Sequence, residues 1–239
     1  MARLSQNLVP CCVIFARLCV SSQGKCILYM DKKVLIFDLG GVLLDIHIER
    51  SFEALLALGM DETLLSEKRC LMDEMIQRYD RGDVSTADFY AYIAEALPEG
   101  VRSLPEEELY ERLHDIWNMM IGSFAPDKLK CLGALRDKGH RILMLSNTNE
   151  GHWEGIERLF RLATGKAVGD LFDGLYLSYK MRMRKPEPEI FLSLLRNEGV
   201  EPSDCIFFDD LEENCEAARS VGIEAVLMQR NALWDTLPV

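Results

Sequence analysis

The sequence predicts an α/β fold: a parallel sheet with helices on both faces, interrupted after its first strand by a four-helix insertion. Three observations carry this. From residue 126 onward, strand-length apolar runs alternate with helix-length patterns. Between residues 48 and 121 only helical periodicity is present. Three of the apolar runs end abruptly in polar residues, as strands do where an α/β sheet collects its ligands.

The first strand is the run Val34, Leu35, Ile36 and Phe37, which stops on Asp38 and is followed by Gly40 and Gly41. Glycines there let the backbone turn sharply and approach a ligand. The insertion then shows four apolar faces in succession. These are Phe52, Leu55 and Leu56; then Leu71, Met72, Met75, Ile76 and Tyr79; then Phe89, Ile93, Ala96 and Leu97; then Leu109, Leu113, Ile116, Trp117 and Met120. Breaks fall at Gly59, at Arg81-Gly82-Asp83 and at Pro98-Glu99-Gly100, and Ser85 with Asp88 resembles a capping box opening the third helix. Short connections between four amphipathic helices describe a small bundle.

After the insertion the spacing predicts a helix over 126–138, a strand over 141–146 and a helical region at about 150–165. A strand over 174–178 and a helix over 187–198, with Pro188 in its first turn, come next. A strand over 204–208 runs into Asp209 and Asp210; a helix over 212–221 stops at Gly222, and a strand over 223–228 follows. Such alternation implies parallel strands joined by right-handed crossovers. The expected division is a core of residues 30–47 and 122–239, a helical cap of residues 48–121, and an extension, residues 1–29, that the fold does not need. Residues 8–20 loosely imitate a signal peptide, but Arg17 breaks their apolar centre and the stretch is too short to span a bilayer.

The 239 residues, 49% hydrophobic, suffice for a substantial core. A net charge of −12 argues against nucleic acid or an anionic membrane as partner. Four of the eight cysteines lie in the first 26 residues; Cys70, Cys131, Cys205 and Cys215 sit singly in apolar patterns. No pair has zinc-ligand spacing, so reduced buried thiols and a cytoplasmic setting are expected.

Asp38, Ser146-Asn147 and Asp209-Asp210 end three strands, and Lys185 lies in the loop before the Pro188 helix. Each has an ordinary structural explanation alone: Ser146 as a helix cap, Lys185 as a solvated charge, the aspartates as caps of helix 212–221. Together, at one edge of one sheet, they suit phosphoryl transfer through an aspartyl phosphate, which splits one difficult displacement into two. Two anions approach each other only with a hard cation between them. Asp38 and Asp210 offer the oxygen ligands that Mg²⁺ takes. Ser146 and Asn147 can hold phosphoryl oxygens, and Lys185 can neutralise charge developing on them.

These segments resemble the four motifs of the haloacid dehalogenase-like hydrolase superfamily, in the branch with a helical cap after the first motif. The matching stretches are Asp38-Leu39-Gly40-Gly41-Val42, Leu145-Ser146-Asn147-Thr148-Asn149, Arg184-Lys185-Pro186-Glu187-Pro188, and Phe207-Phe208-Asp209-Asp210 through Asn214. Within the superfamily the chain is most similar to the bacterial alpha-D-glucose-1-phosphate phosphatase group, and it also resembles the N-terminal phosphatase domain of soluble epoxide hydrolase. The resemblance implies a Rossmann-like core and a Mg²⁺-dependent phosphatase of small phosphorylated metabolites. Asp38 would be nucleophile and metal ligand, joined in holding Mg²⁺ by the carbonyl of Gly40 and by Asp210. Ser146, Asn147 and Lys185 would bind the phosphoryl group, with Asp209 and Asn214 supporting them.

One position departs from the pattern. Most phosphatases of this superfamily carry a second aspartate two residues after the nucleophile, as general acid and then base. Here that position is Gly40. Loss of a positioned acid costs about 10²–10⁴-fold for a poor leaving group. Preference is therefore expected for acidic departing oxygens, as in glucose 1-phosphate, unless another group substitutes. Asp45 and His47 are candidates for that substitute, and Arg182 for contact with a second anionic group on the substrate. Rival functions are dehalogenation by the same aspartate without metal, and a binding module that kept the fold and lost turnover. The oligomeric state is not legible.

Overall fold

A computed structural model describes residues 33–61 and 69–231 of the chain. Residues 1–29, and with them the expected extension, lie outside the described residues. Strand β1 (Val34–Phe37) is the centre of a five-stranded parallel sheet. It pairs on one side with β4 (Arg141–Ser146) and on the other with β6 (Cys205–Asp209). Strands β5 (Gly174–Leu177) and β7 (Glu224–Leu227) extend the sheet to the order β5-β4-β1-β6-β7.

The apolar runs read as strands because both faces of the sheet are covered. Leu35 and Phe37 point to one side, where they join Met144, Phe208, Trp153 and Phe160. Val34 and Ile36 point to the other, against Leu143, Phe207, Ile190 and Phe191. The covering helices are α6 (Pro126–Asp137), α7 (Glu150–Thr164), α9 (Pro188–Glu198) and α10 (Glu212–Ser220). Each lies within two residues of its predicted span.

The insertion contains α1 (Ile48–Ala57), α2 (Arg69–Asp80), α3 (Thr86–Ala94), a single turn α4 (Glu99–Arg102) and α5 (Glu106–Asn118). Ser85 caps α3 by accepting a hydrogen bond from the backbone N–H of Asp88 at 3.1 Å. These helices bury their own apolar cluster, in which Phe89 stacks on Tyr79 at 4.4 Å and meets Trp117 edge-on at 4.7 Å.

Three features depart from the prediction. A two-stranded antiparallel ribbon, β2 (Leu44–Ile46) with β3 (Ile121–Phe124), stands where the insertion leaves and rejoins the sheet. Strands of three and four residues are too short to show a period. A one-turn helix α8 (Ser178–Met181) follows β5, and α3 ends at Ala94, leaving buried Leu97 in a turn. Cys205 and Cys215 are buried free thiols, as expected. Among the described residues, no helix is long and apolar enough to cross a membrane.

Candidate active site

The strand order brings the carboxyl ends of β1, β4 and β6 side by side, and the predicted residues sit there. Asp38 extends β1 by one more bond, its N–H donating to the carbonyl of Phe208 at 2.8 Å. Lys185, 1% exposed, reaches this edge from the loop before α9. Its ammonium donates to Asp38 Oδ1 at 2.8 Å and to Asp209 Oδ2 at 2.6 Å. Asp209 is fully buried and also accepts from the backbone N–H of Leu211 and from Asn214 Nδ2, each at 2.9 Å to Oδ1. Asp209 and Asn214 thus hold the lysine from behind.

Asp210, next along β6, accepts from Arg230 Nε at 2.5 Å. It packs against the first-strand loop at Gly41, whose φ of +75° suits glycine; a Cβ there would stand 2.5 Å from Asp210 Oδ2. Asn231, beside Arg230, is bonded through its side chain to both backbone groups of Ile46, which anchors this corner to β2.

The second strand end is arranged differently from expectation. The Asn147 amide is spent largely on Lys185, donating to its carbonyl and accepting from its N–H, both at 2.9 Å. It positions the lysine loop, with its second N–H left uncommitted among the described residues. Ser146 is 2% exposed and does not line the cavity described below. Neither Asp45 nor His47 faces the site: Asp45 lies 3.8 Å from Lys128, and His47 pairs with Glu49 at 3.4 Å. Arg182 is also misplaced as a substrate contact, being exposed and 3.5 Å from Asp83. In all three cases the side chain is turned by local geometry that spacing along the chain does not encode.

Oxygens of Asp38, Asp209 and Asp210 lie within 4.8 Å of one another. Three carboxylates against the Lys185 ammonium and the Arg230 guanidinium leave one negative charge in excess, and all the donors are hard oxygens; such a set fits a hard divalent cation. The metal-free charges oppose ionisation. Burial, assisted by Asp209 and Asp210, pushes Asp38 up to about 7 against the pull of Lys185. Burial and Asp209 likewise raise Asp210, against Arg230. Burial acts to lower Lys185, but Asp209 and Asp38 outweigh it and hold the ammonium charged.

Between this edge and the inserted helices lies a cavity of about 300 Å³. Its floor is Asp38, Gly40, Asn147, Lys185 and Asp210; its walls include Ile48, Phe52 and Trp117 from the insertion. Asp80, His152, Arg184 and Arg230 also line it. No sequence motif marks Asp80, His152 or Arg230: Asp80 arrives with the insertion, His152 on α7, and Arg230 from the stretch after β7. Ring stacking fixes His152 on Trp117, with centroids 4.7 Å apart, and Nε2 lies 3.1 Å from the Trp117 carbonyl oxygen. Burial holds it neutral, its pKa lowered to about 4.

Comparison with known proteins agrees with the geometry. D-ribitol-5-phosphate phosphatase from Bacteroides thetaiotaomicron is 28% identical over 202 residues, covering 84% of this chain and 94% of that protein. Sesquiterpene phosphatase astK from Aspergillus oryzae is 26% identical, over 80% of this chain and 87% of its own. A crystal structure of a HAD-family enzyme from Bacteroides thetaiotaomicron, in complex with magnesium and inorganic phosphate, superposes with a TM-score of 0.76 at 32% identity. It matches 86% of this chain and 98% of its own. The haloacid dehalogenase-like hydrolase family profile matches residues 32–222. The chain belongs to the haloacid dehalogenase-like hydrolase family.

Proposed function

We propose that this protein is a Mg²⁺-dependent hydrolase of small phosphomonoesters that works through a phosphoaspartate on Asp38. The observation carrying this is the Lys185 ammonium seated between Asp38 and Asp209, with Asp210 alongside at the same strand ends. Asp38, the Gly40 carbonyl and Asp210 would hold the ion. Bound there, Mg²⁺ supplies the positive charge that lets a carboxylate approach a phosphate.

Lys185 keeps the nucleophile oriented and faces the equatorial oxygens, where charge grows in the transition state. Asp209 and Asn214 keep that ammonium from turning away, and Asn147 holds its backbone. The spare N–H of Asn147 completes the phosphoryl seat, and Ser146, buried at the end of β4, backs it without lining the cavity. Residues 48–121 act as a cap that excludes water and shapes the leaving-group chamber, while residues 30–47 and 122–239 form the catalytic core.

Among phosphomonoesters, sugar phosphates such as glucose 1-phosphate are the first candidates, since Gly40 supplies no acid and an anomeric oxygen leaves readily. The D-ribitol-5-phosphate phosphatase relative supports phosphorylated polyols and sugars as a class. A cytoplasmic site suits such metabolites. The test is phosphate release from a panel of esters with Mg²⁺ or EDTA, for wild type and Asp38→Asn. Activity that needs Mg²⁺ and disappears in Asp38→Asn is expected; activity in EDTA, or in the variant, refutes the reading.

A further inference from the structure

Gly40 leaves the departing oxygen without the usual proton donor, and the space beside it is not free. A Cβ on Gly40 would already lie 3.2 Å from Ile46 Cγ1, so the nearest neighbour at this position is an apolar side chain. A substitute must therefore come from another wall of the cavity. Among the described residues that line it, the groups able to exchange a proton near neutrality are Asp38, Asp80, His152 and Asp210. Asp38 and Asp210 are committed as nucleophile and ion ligand. His152 has Nε2 against the Trp117 carbonyl and Nδ1 3.3 Å from Asn149 Nδ2, so neither nitrogen is free. Asp80 remains.

We propose that Asp80, at the end of α2, is the general acid and base of this active site, replacing the function missing at Gly40; this rests on the phosphatase reading above. Its carboxyl is aimed by a hydrogen bond from Asn149 Nδ2 to Oδ1 at 2.9 Å, while Oδ2 has no partner among the described residues. Asn149 is itself fixed as the cap of α7, accepting from the His152 N–H at 3.0 Å. The carbonyl of Asp80 accepts from Ser178 Oγ at 2.6 Å, which pins the residue to the core side. Arg184, whose Nε is buried without a partner among the described residues, also lines the cavity, and its charge favours the carboxylate left after proton donation. Burial raises Asp80 to about 6, leaving both protonation states accessible near neutral pH.

The proton balance closes in two steps. As an Asp38 oxygen bonds to phosphorus and the P–O ester bond breaks, protonated Asp80 gives its proton to the departing oxygen, releasing an alcohol. Water then attacks phosphorus and passes a proton to the Asp80 carboxylate while the P–O bond to Asp38 breaks. Phosphate leaves, and both aspartates return to their starting states.

The test is the dependence of kcat/KM on leaving-group acidity, from alkyl and polyol phosphates to 4-nitrophenyl phosphate, in wild type, Asp80→Asn and Asp80→Glu. This parameter reports the first transfer to Asp38 alone. Asn keeps an acceptor for Asn149, so the fold is retained. Asp80→Asn should lose about 10²–10⁴-fold on alkyl esters and about tenfold or less on 4-nitrophenyl phosphate, steepening the correlation. Asp80→Glu should recover part of the alkyl activity. An equal loss across all esters, or none, would overturn the assignment and leave Asp80 as a structural link between α2 and α7. A wild type inactive on every ester would instead remove the phosphatase reading, and this inference with it.

Discussion

Replacing Asp209 with alanine tests the buried charge arrangement most directly. Asp209 is 0% exposed and accepts from Lys185, the Leu211 N–H and Asn214. Its removal leaves the Lys185 ammonium, also buried, with Asp38 as its remaining anion. Breaking one partner of a buried ion pair costs about 3–5 kcal/mol, because a buried charge loses its compensation. For a protein of this size each kcal/mol moves the thermal midpoint by about 2–4 °C, so a drop of roughly 6–20 °C is expected. Asp209→Asn, which keeps an acceptor but loses the charge, should fall between wild type and Ala. The assay is thermal unfolding followed by circular dichroism, with EDTA present so that no cation compensates. A midpoint within about 2 °C of wild type for Asp209→Ala would refute the reasoning, since it would mean that Lys185 is not held by this carboxylate.

Three further outcomes follow from the same geometry. Gly41→Ala places a Cβ 2.5 Å from Asp210 Oδ2 at a φ of +75°; displacement of Asp210 should weaken Mg²⁺ binding about tenfold or more by calorimetry, a change of about 1.4 kcal/mol, and unchanged affinity would exclude Asp210 as a ligand. His152 is held at about 4, against about 6.5 in an unfolded chain, so between those values the unfolded state binds more protons and stability rises with pH. Asp80, raised to about 6, contributes the opposite sign between about pH 4 and 6. Subtracting the unfolding free energy of His152→Gln, from denaturant titrations, from that of wild type across pH 4–7 should therefore expose a positive slope of up to about 1.4 kcal/mol per pH unit, and a flat difference would count against a neutral His152. Arg81 joins the end of α2 to Glu187 before α9 through a two-pronged ion pair, one arm at 2.7 Å. With both side chains about a third exposed, Arg81→Ala should cost only about 0.2–1 kcal/mol in urea unfolding, less at high salt; a larger, salt-independent loss would contradict a solvent-screened contact.

The sheet and its ligand edge are legible from local sequence pattern alone. Continuous apolar strands such as Ile206-Phe207-Phe208 are legible because burial on both faces demands them, and the polar residues that end them mark the edge where ligands collect. Asp38, Ser146, Asn147, Asp209 and Asp210 were therefore readable as one edge before any coordinates, with Lys185 in a neighbouring loop, while Asn214 was implied only by the resemblance to the family's fourth motif. Tertiary structure decided the rest. The β2–β3 ribbon was hidden by its brevity, and Asn147 turned out to grip the Lys185 backbone. Asp45, His47 and Arg182 were near in sequence yet face elsewhere, whereas Asp80, His152 and Arg230 reach the cavity from distant segments. The physical reason is the range of the interactions. Periodicity and strand ends record local burial, which neighbouring residues report, but the walls of a cavity are set by how separately folded helices pack onto a sheet. That packing depends on contacts such as Asp80 with Asn149, 69 residues apart, which no local pattern carries.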